Sequence, residues 1–183
     1  MVHHSPASAT PNPSSVAMSA PTRILLVMGV AGSGKSTIGH GLADTLGWPY
    51  YEADDFHSAA NKAKMAAGTP LDDDDRAPWL ASIRAAIDEC RRAGHSAVFT
   101  CSGLKHKYRR VLTDGAPEVS LIYLHGDFDT ILARVSGREG HFMKAEMVKS
   151  QFAALEVPED ALRIDIRQSP EAIIAEIRQR SGI

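Results

Sequence analysis

The sequence predicts one three-layer α/β domain, a central five-stranded parallel sheet with helices on both faces. Three observations predict it. Short apolar runs of strand length alternate with amphipathic stretches of helical period, the pattern of parallel layering. The 183 residues match one ordinary domain. A glycine-rich turn joins the first apolar run to the first helical stretch, which is how such sheets build their ligand edge.

The elements follow in order. Residues 1–21 are rich in Ser, Ala and Pro with almost no large apolar side chain, so a disordered tail is expected there, His3 and His4 included. The folded domain is expected over 22–183. Strands are expected at 23–28, 49–53, 97–101, 119–124 and 162–166. Helices are expected at 35–46, ended by Gly47, and at 77–93, where Trp79, Ile83, Ile87 and Cys90 form one apolar stripe ended by Gly94. Two more are expected at 128–135 and 144–155, and a last one at 170–180, capped by Ser169 with Pro170 in its first turn. Residues 136–143, between two of these helices, are expected to form a lid.

Composition removes several function classes. Hydrophobic residues are 44% of the chain, enough for a real core. The 20 basic residues are offset by 22 acidic ones, a net charge of −2, so no global basic field exists to hold nucleic acid. Two cysteines, Cys90 and Cys101, are too few for a disulfide scaffold and suit a reduced chain. No apolar run approaches the roughly 20 residues that span a bilayer. The first stretch has neither the basic start and apolar middle of a secretory signal nor the arginines of a transit peptide. A cytoplasmic location is expected.

Gly29-Val30-Ala31-Gly32-Ser33-Gly34-Lys35-Ser36 fits G-x-x-x-x-G-K-[ST] at every defined position, with a strand before it and a helix after it. Glycines let the backbone curl so that successive N–H groups point at a phosphate, and the helix N-terminus adds its positive dipole end. Residues Gly29 to Ser36, with Thr37 behind them, are therefore the expected nucleotide-binding set. Lys35 is expected to reach the β and γ phosphates, and the Ser36 hydroxyl to ligate Mg²⁺. The fold class sharpens to a P-loop three-layer sandwich.

Large GTPases and motor ATPases usually end an apolar strand in Asp to organise the magnesium waters. Here the third strand runs into Cys101-Ser102, and the acids follow the second strand instead, in Glu52-Ala53-Asp54-Asp55. The base-reading Asn-Lys-x-Asp of GTPases is absent, since Asn61-Lys62 continues as Ala63-Lys64. Small size and this layout favour a kinase of a small metabolite.

At this point the chain resembles the gluconate kinases of the small P-loop type. The resemblance rests on 28–36, on Asp54 with His57, and on 61–65. It extends through Gly68-Thr69-Pro70-Leu71-Asp72-Asp73-Asp74-Asp75-Arg76 with Pro78-Trp79-Leu80, and Cys101-Ser102-Gly103-Leu104-Lys105 with Tyr108-Arg109. It closes with Gly140-His141-Phe142-Met143 and Gln151-Phe152 with Leu155-Glu156 and Pro158. It covers almost everything from Ile24 onward and implies ATP-dependent phosphorylation of D-gluconate on its 6-hydroxyl. Two positions depart from the family pattern: Glu52-Ala53-Asp54 stands where Asp-Gly-Asp is common, and Gly103 where Ala is common.

Roles follow from the resemblance and from the chemistry. Asp54 is the candidate to accept the proton of the attacking hydroxyl, or to hold magnesium through water. His57 is a candidate for substrate hydroxyls. The substrate carboxylate calls for an arginine fork, for which Arg76 and Arg109 are the candidates, with Lys105 and Tyr108 on the same wall. Of the four acids 72–75, Asp74 is the one expected to matter, by ordering Arg76 or the hydroxyls. Arg134 and Arg138 are candidates to neutralise charge on the transferred phosphoryl group, and His141, beside the lid, is a candidate for substrate binding. A homodimer is common in such families. Alternatives are a kinase of another hydroxy acid such as shikimate, though the shikimate type should show a glycine triplet at 101–105, or a nucleotide-dependent switch.

Overall fold

The computed structural model describes residues 20–136 and 141–183, the latter without the side chains of 141–143. Five parallel strands, β1 (Ile24–Met28), β2 (Tyr50–Glu52), β3 (Ala97–Thr100), β4 (Val119–His125) and β5 (Leu162–Asp165), form one sheet in the order β2-β3-β1-β4-β5. Each lies within a residue or two of its expected range. β1 is central: Leu25 stands opposite Val98 on one side and Ser120 on the other.

All five residues of β1 are buried because both faces of the sheet are covered. Its side chains alternate between two cores. Ile24, Leu26 and Met28 pack with Ile83 and Ile87 of α3 (Asp73–Ala93) and Leu112 of α4 (His106–Thr113). Leu25 and Val27 pack with Ile38 and Leu42 of α1 (Lys35–Leu46), Ile131 of α5 (Phe128–Ser136), Val148 of α6 (His141–Ala154) and Ile177 of α7 (Pro170–Ser181). Burying an aliphatic side chain of this kind stabilises a fold by about 1.5–3 kcal/mol. Ile87→Asp or Leu25→Asp would strand a charge in one of these layers.

α3 and α6 start earlier than expected, and α4, with one further short helix, was not expected. α3 begins at Asp73 rather than at 77. Asp72 is its N-cap and accepts from the Asp75 N–H at 2.8 Å, while the Asp75 carboxylate accepts from the Asp72 N–H at 3.1 Å. This reciprocal box starts the helix early enough to place Pro78 inside it. A further short helix, α2 (Ala59–Ala66), capped by Ser58, follows a 3₁₀ turn at Ala53–Phe56. At the C-terminus, Ser169 caps α7 as expected, accepting from the Ala172 N–H.

Close approach fixes α1 on the sheet. A methyl group on Gly39 would stand 2.4 Å from Thr100 Cγ2 and 2.7 Å from the Tyr50 ring, so only glycine lets the helix lie this near β2 and β3. Ser136 closes α5 and His141 opens α6; the expected lid at 136–143 falls for the most part outside the described residues. The expected tail up to residue 19, Arg138, and the side chain of His141 lie outside the described residues. Among the described residues, no helix is long and apolar enough to cross a membrane.

Candidate active site

The central strand delivers the phosphate loop to the carboxyl edge of the sheet. β1 ends at Met28, residues 29–34 turn, and α1 starts at Lys35. Gly32 has φ 82°, and a Cβ on it would lie 2.5 Å from Val135 Cγ1, so glycine is required on both counts. The Lys35 ammonium donates to the Val30 carbonyl at 3.1 Å. Burial lowers its pKa, against the opposing pull of Cys101, Glu52 and Asp54. That electrostatic pull places the lysine among the acids after β2.

The hydroxyl of Ser36 donates to Glu52 Oε2 at 2.8 Å, and the Tyr50 hydroxyl donates to the same oxygen at 2.6 Å. Tyr50 also lies 2.9 Å from Thr100 Oγ1. Burial pushes the Glu52 carboxyl up, but hydrogen bonds from Tyr50, Ser36 and Thr100 and the charge of Lys35 outweigh it, so its pKa is lowered. Ser36 and Glu52 thus set hard oxygen donors side by side at the start of α1, with Asp54 near enough for its charge to act on Lys35, and such oxygens fit Mg²⁺. Arg134 approaches from α5. One guanidinium nitrogen donates to the Ile166 carbonyl, and Nη1 lies 3.9 Å from the Cβ position of Gly34.

Beside the loop lies a cleft of two adjoining cavities, of about 180 Å³ and 450 Å³. Arg76, Trp79, Ser102 and Gln151 line both. The smaller cavity is walled by 101–105 and Tyr108; the larger takes in Asp54 and His57. Asp54 sits exposed on the 3₁₀ turn. That turn is held by Trp79, whose indole N–H donates to the Ala53 carbonyl at 2.7 Å. His57 stacks on the same indole, and its Nδ1 is buried with no hydrogen-bond partner. Burial lowers the His57 pKa, with Asp54 opposing and Arg76 assisting.

Three cations surround the Tyr108 ring: Arg76, Lys105 and Lys107, at 5.6, 5.7 and 5.6 Å from its centroid. Lys107 is neutralised by Asp73. Tyr108 donates to Asp73 at 2.6 Å and accepts from Arg76 at 3.4 Å. Hydrogen bonds from Lys107 and Tyr108 hold the Asp73 carboxyl at about 2. Arg76 and Lys105 are the two cations that line the smaller cavity.

Two expected roles change. Arg109 does not line the cleft. It is 4% exposed, and Nη1 donates to the carbonyls of Gly103 and Leu104 at 2.8 and 3.1 Å. Its place one residue after Tyr108 on α4 turns it beneath the loop, which it braces instead of meeting a ligand. Asp74 is exposed and lines a separate groove with Phe56 and Ser58. Because the helix starts at Asp73, it is Asp73 that faces Tyr108. Asp54, His57, Arg76, Lys105 and Tyr108 line the cleft; Lys35 feels the charge of Asp54 from the phosphate loop, and Arg134 stands beside Gly34 of that loop. Sequence reasoning assigned no role to Gln151, Ser102 or Asp73. A lone glutamine on a helix gives no local signal, whereas Asp73 becomes legible once the capping box fixes the helix phase.

Comparisons with known proteins agree with this fold. The shikimate kinase family model matches residues 31–179. A gluconokinase of Gluconobacter oxydans is 42% identical, the match covering 85% of this chain and 89% of that protein. The unliganded structure of a sugar kinase from a Janibacter species superposes with a TM-score of 0.79 at 47% identity, over 89% of this chain and 96% of that one. A gluconokinase structure from Sinorhizobium meliloti gives 0.72 at 36% identity, over 88% and 96%. With its phosphate loop on the central strand and its acceptor cleft alongside, the chain belongs to the gluconokinase family, within the wider shikimate kinase group of P-loop kinases.

Proposed function

We propose that this protein transfers the γ-phosphoryl group of ATP to the 6-hydroxyl of D-gluconate, giving 6-phosphogluconate and ADP. The observation that carries the reading is the pairing of a phosphate loop with a cleft whose far wall holds Arg76 and Lys105. A polyol acid needs a cationic wall for its carboxylate at one end and a proton acceptor at the other. The gluconokinase name of the relatives supports the same substrate.

The residues divide the work. Backbone N–H groups of the loop and the N-terminus of α1 hold the nucleotide phosphates. Lys35 gives up its bond to Val30 for them, and its partial desolvation strengthens that contact. Ser36 and Glu52, with Asp54 through water, would hold Mg²⁺, which would supply charge neutralisation on the phosphates. Asp54 receives the proton of the attacking hydroxyl. Arg76 and Lys105 fix the carboxylate, and His57 meets hydroxyls between. Arg134 offsets charge on the nucleotide side. The buried, unpaired Cys90 and Cys101 support a reducing compartment, so we assign the enzyme to the cytoplasm. Cys101, whose burial pushes its thiol to about 12, acts as packing.

The experiment is ADP release with ATP and Mg²⁺ across gluconate, shikimate, AMP, neutral sugars and no acceptor. Strong stimulation by gluconate alone is expected. Stimulation by shikimate instead would transfer the cleft to another acid, and 101–105, Cys-Ser-Gly-Leu-Lys without a glycine triplet, speaks against that.

A further inference from the structure

Helix α6 turns Met147, Gln151 and Ala154 toward the cleft, an i, i+4, i+7 face. Its other face, with Val148 and Phe152, packs into the core. Of the three cleft-facing side chains only Gln151 is polar. Its carboxamide orientation is fixed by chemistry. The Ala31 N–H, in the phosphate loop, donates to Oε1 at 3.1 Å, and only the oxygen end can accept. The NH₂ end therefore faces away from that N–H. Among the described residues no protein acceptor takes its protons.

Gln151 thus stands at the seam of the site. One end holds the phosphate loop, and the side chain lines both acceptor cavities. The helix is also registered against the opposite wall, because the Glu156 N–H donates to the Leu104 carbonyl at 2.8 Å, in the loop that carries Lys105. A shift of α6 would disturb both walls together.

We propose that Gln151 is a specificity-determining residue: its Nε2 donates to an acceptor hydroxyl next to the one that is phosphorylated. This rests on the acceptor being the polyol acid proposed above. A half-buried donor left without its hydroxyl rejects the analogue that lacks it, while the same donor anchored to the phosphate loop keeps the reacting hydroxyl in line.

The test is a cycle between enzyme and substrate, measuring kcat/KM for D-gluconate and its mono-deoxy analogues with wild type, Gln151→Met and Gln151→Glu. Glu keeps an oxygen for Ala31 and removes the donor. Wild type should lose roughly tenfold or more on one deoxy analogue. Both variants should lose a comparable factor on gluconate and nothing further on that analogue, with ATP affinity of Gln151→Met within about twofold of wild type. Losses that add on every analogue, an unchanged gluconate response, or a loss confined to ATP affinity would each overturn the proposal. Wild type that ignores gluconate but uses another acceptor would refute the substrate instead, and the same cycle on that acceptor's deoxy analogues would then decide Gln151.

Discussion

His57 lies face to face with Trp79, ring centroids 4.3 Å apart and planes 11° from parallel. The indole is itself tied to the Ala53 carbonyl, so one aromatic side chain positions both the imidazole and the turn that carries Asp54. Trp79→Leu should lower turnover by about tenfold or more through misplacement of Asp54, although Trp79 does no chemistry. Steady-state kinetics beside a circular dichroism spectrum checks this; unchanged kcat in a folded variant would break the link.

The same burial gives stability a pH dependence. The ordinary imidazole value is 6.5, and burial lowers it in the folded protein. As pH falls through 6.5 the unfolded chain takes a proton that the folded chain refuses. Stability therefore drops there and levels off once the folded pKa is passed. Melting temperatures between about pH 7.5 and 5.5 should fall more steeply for wild type than for His57→Gln. Parallel curves would remove His57 from the acid response.

Lys35→Ala and Asp54→Asn should each leave a folded protein with turnover lowered by about 10²–10⁴. ATP affinity separates them. Lys35→Ala should weaken nucleotide binding, whereas Asp54→Asn should act mainly on kcat. Near-normal turnover in Asp54→Asn would refute its role.

Arg109→Leu should cost about 2–4 kcal/mol of stability, since two buried carbonyls lose a charged donor. The released loop should also raise KM for gluconate through Lys105. Urea denaturation measures the first effect and kinetics the second. A higher KM with unaltered stability would return Arg109 to direct substrate contact.

Asp72→Ala removes the cap of α3 and should cost about 1 kcal/mol with activity retained, read as a shift in the urea midpoint. No shift would mean that Asp75 and the helix dipole suffice.

Much of this was legible because parallel strands buried on both faces read as short apolar runs bounded by turns. The phosphate loop was legible because its demands on glycine, lysine and hydroxyl are local. What was hidden depends on helix phase and distant packing. The apolar stripe from Trp79 onward placed the start of α3 at 77, and without the true start at Asp73 the sequence does not show that Asp73, not Asp74, faces Tyr108. Arg109 reads as a fork for the substrate carboxylate until α4 is docked and buries it under 103–104. Gln151 acquires meaning only beside Ala31, far away in sequence.

The central place of β1 has a consequence for biosynthesis. This strand is translated before either of its neighbours, β3 and β4, so a nascent chain carries the complete phosphate motif long before any sheet exists to support it. Contacts of such long sequence separation form slowly. The nucleotide site on β1 is therefore flanked on both sides only after β4 has emerged, and nucleotide should act as a late ligand that locks an assembled sheet, not as a template for its assembly.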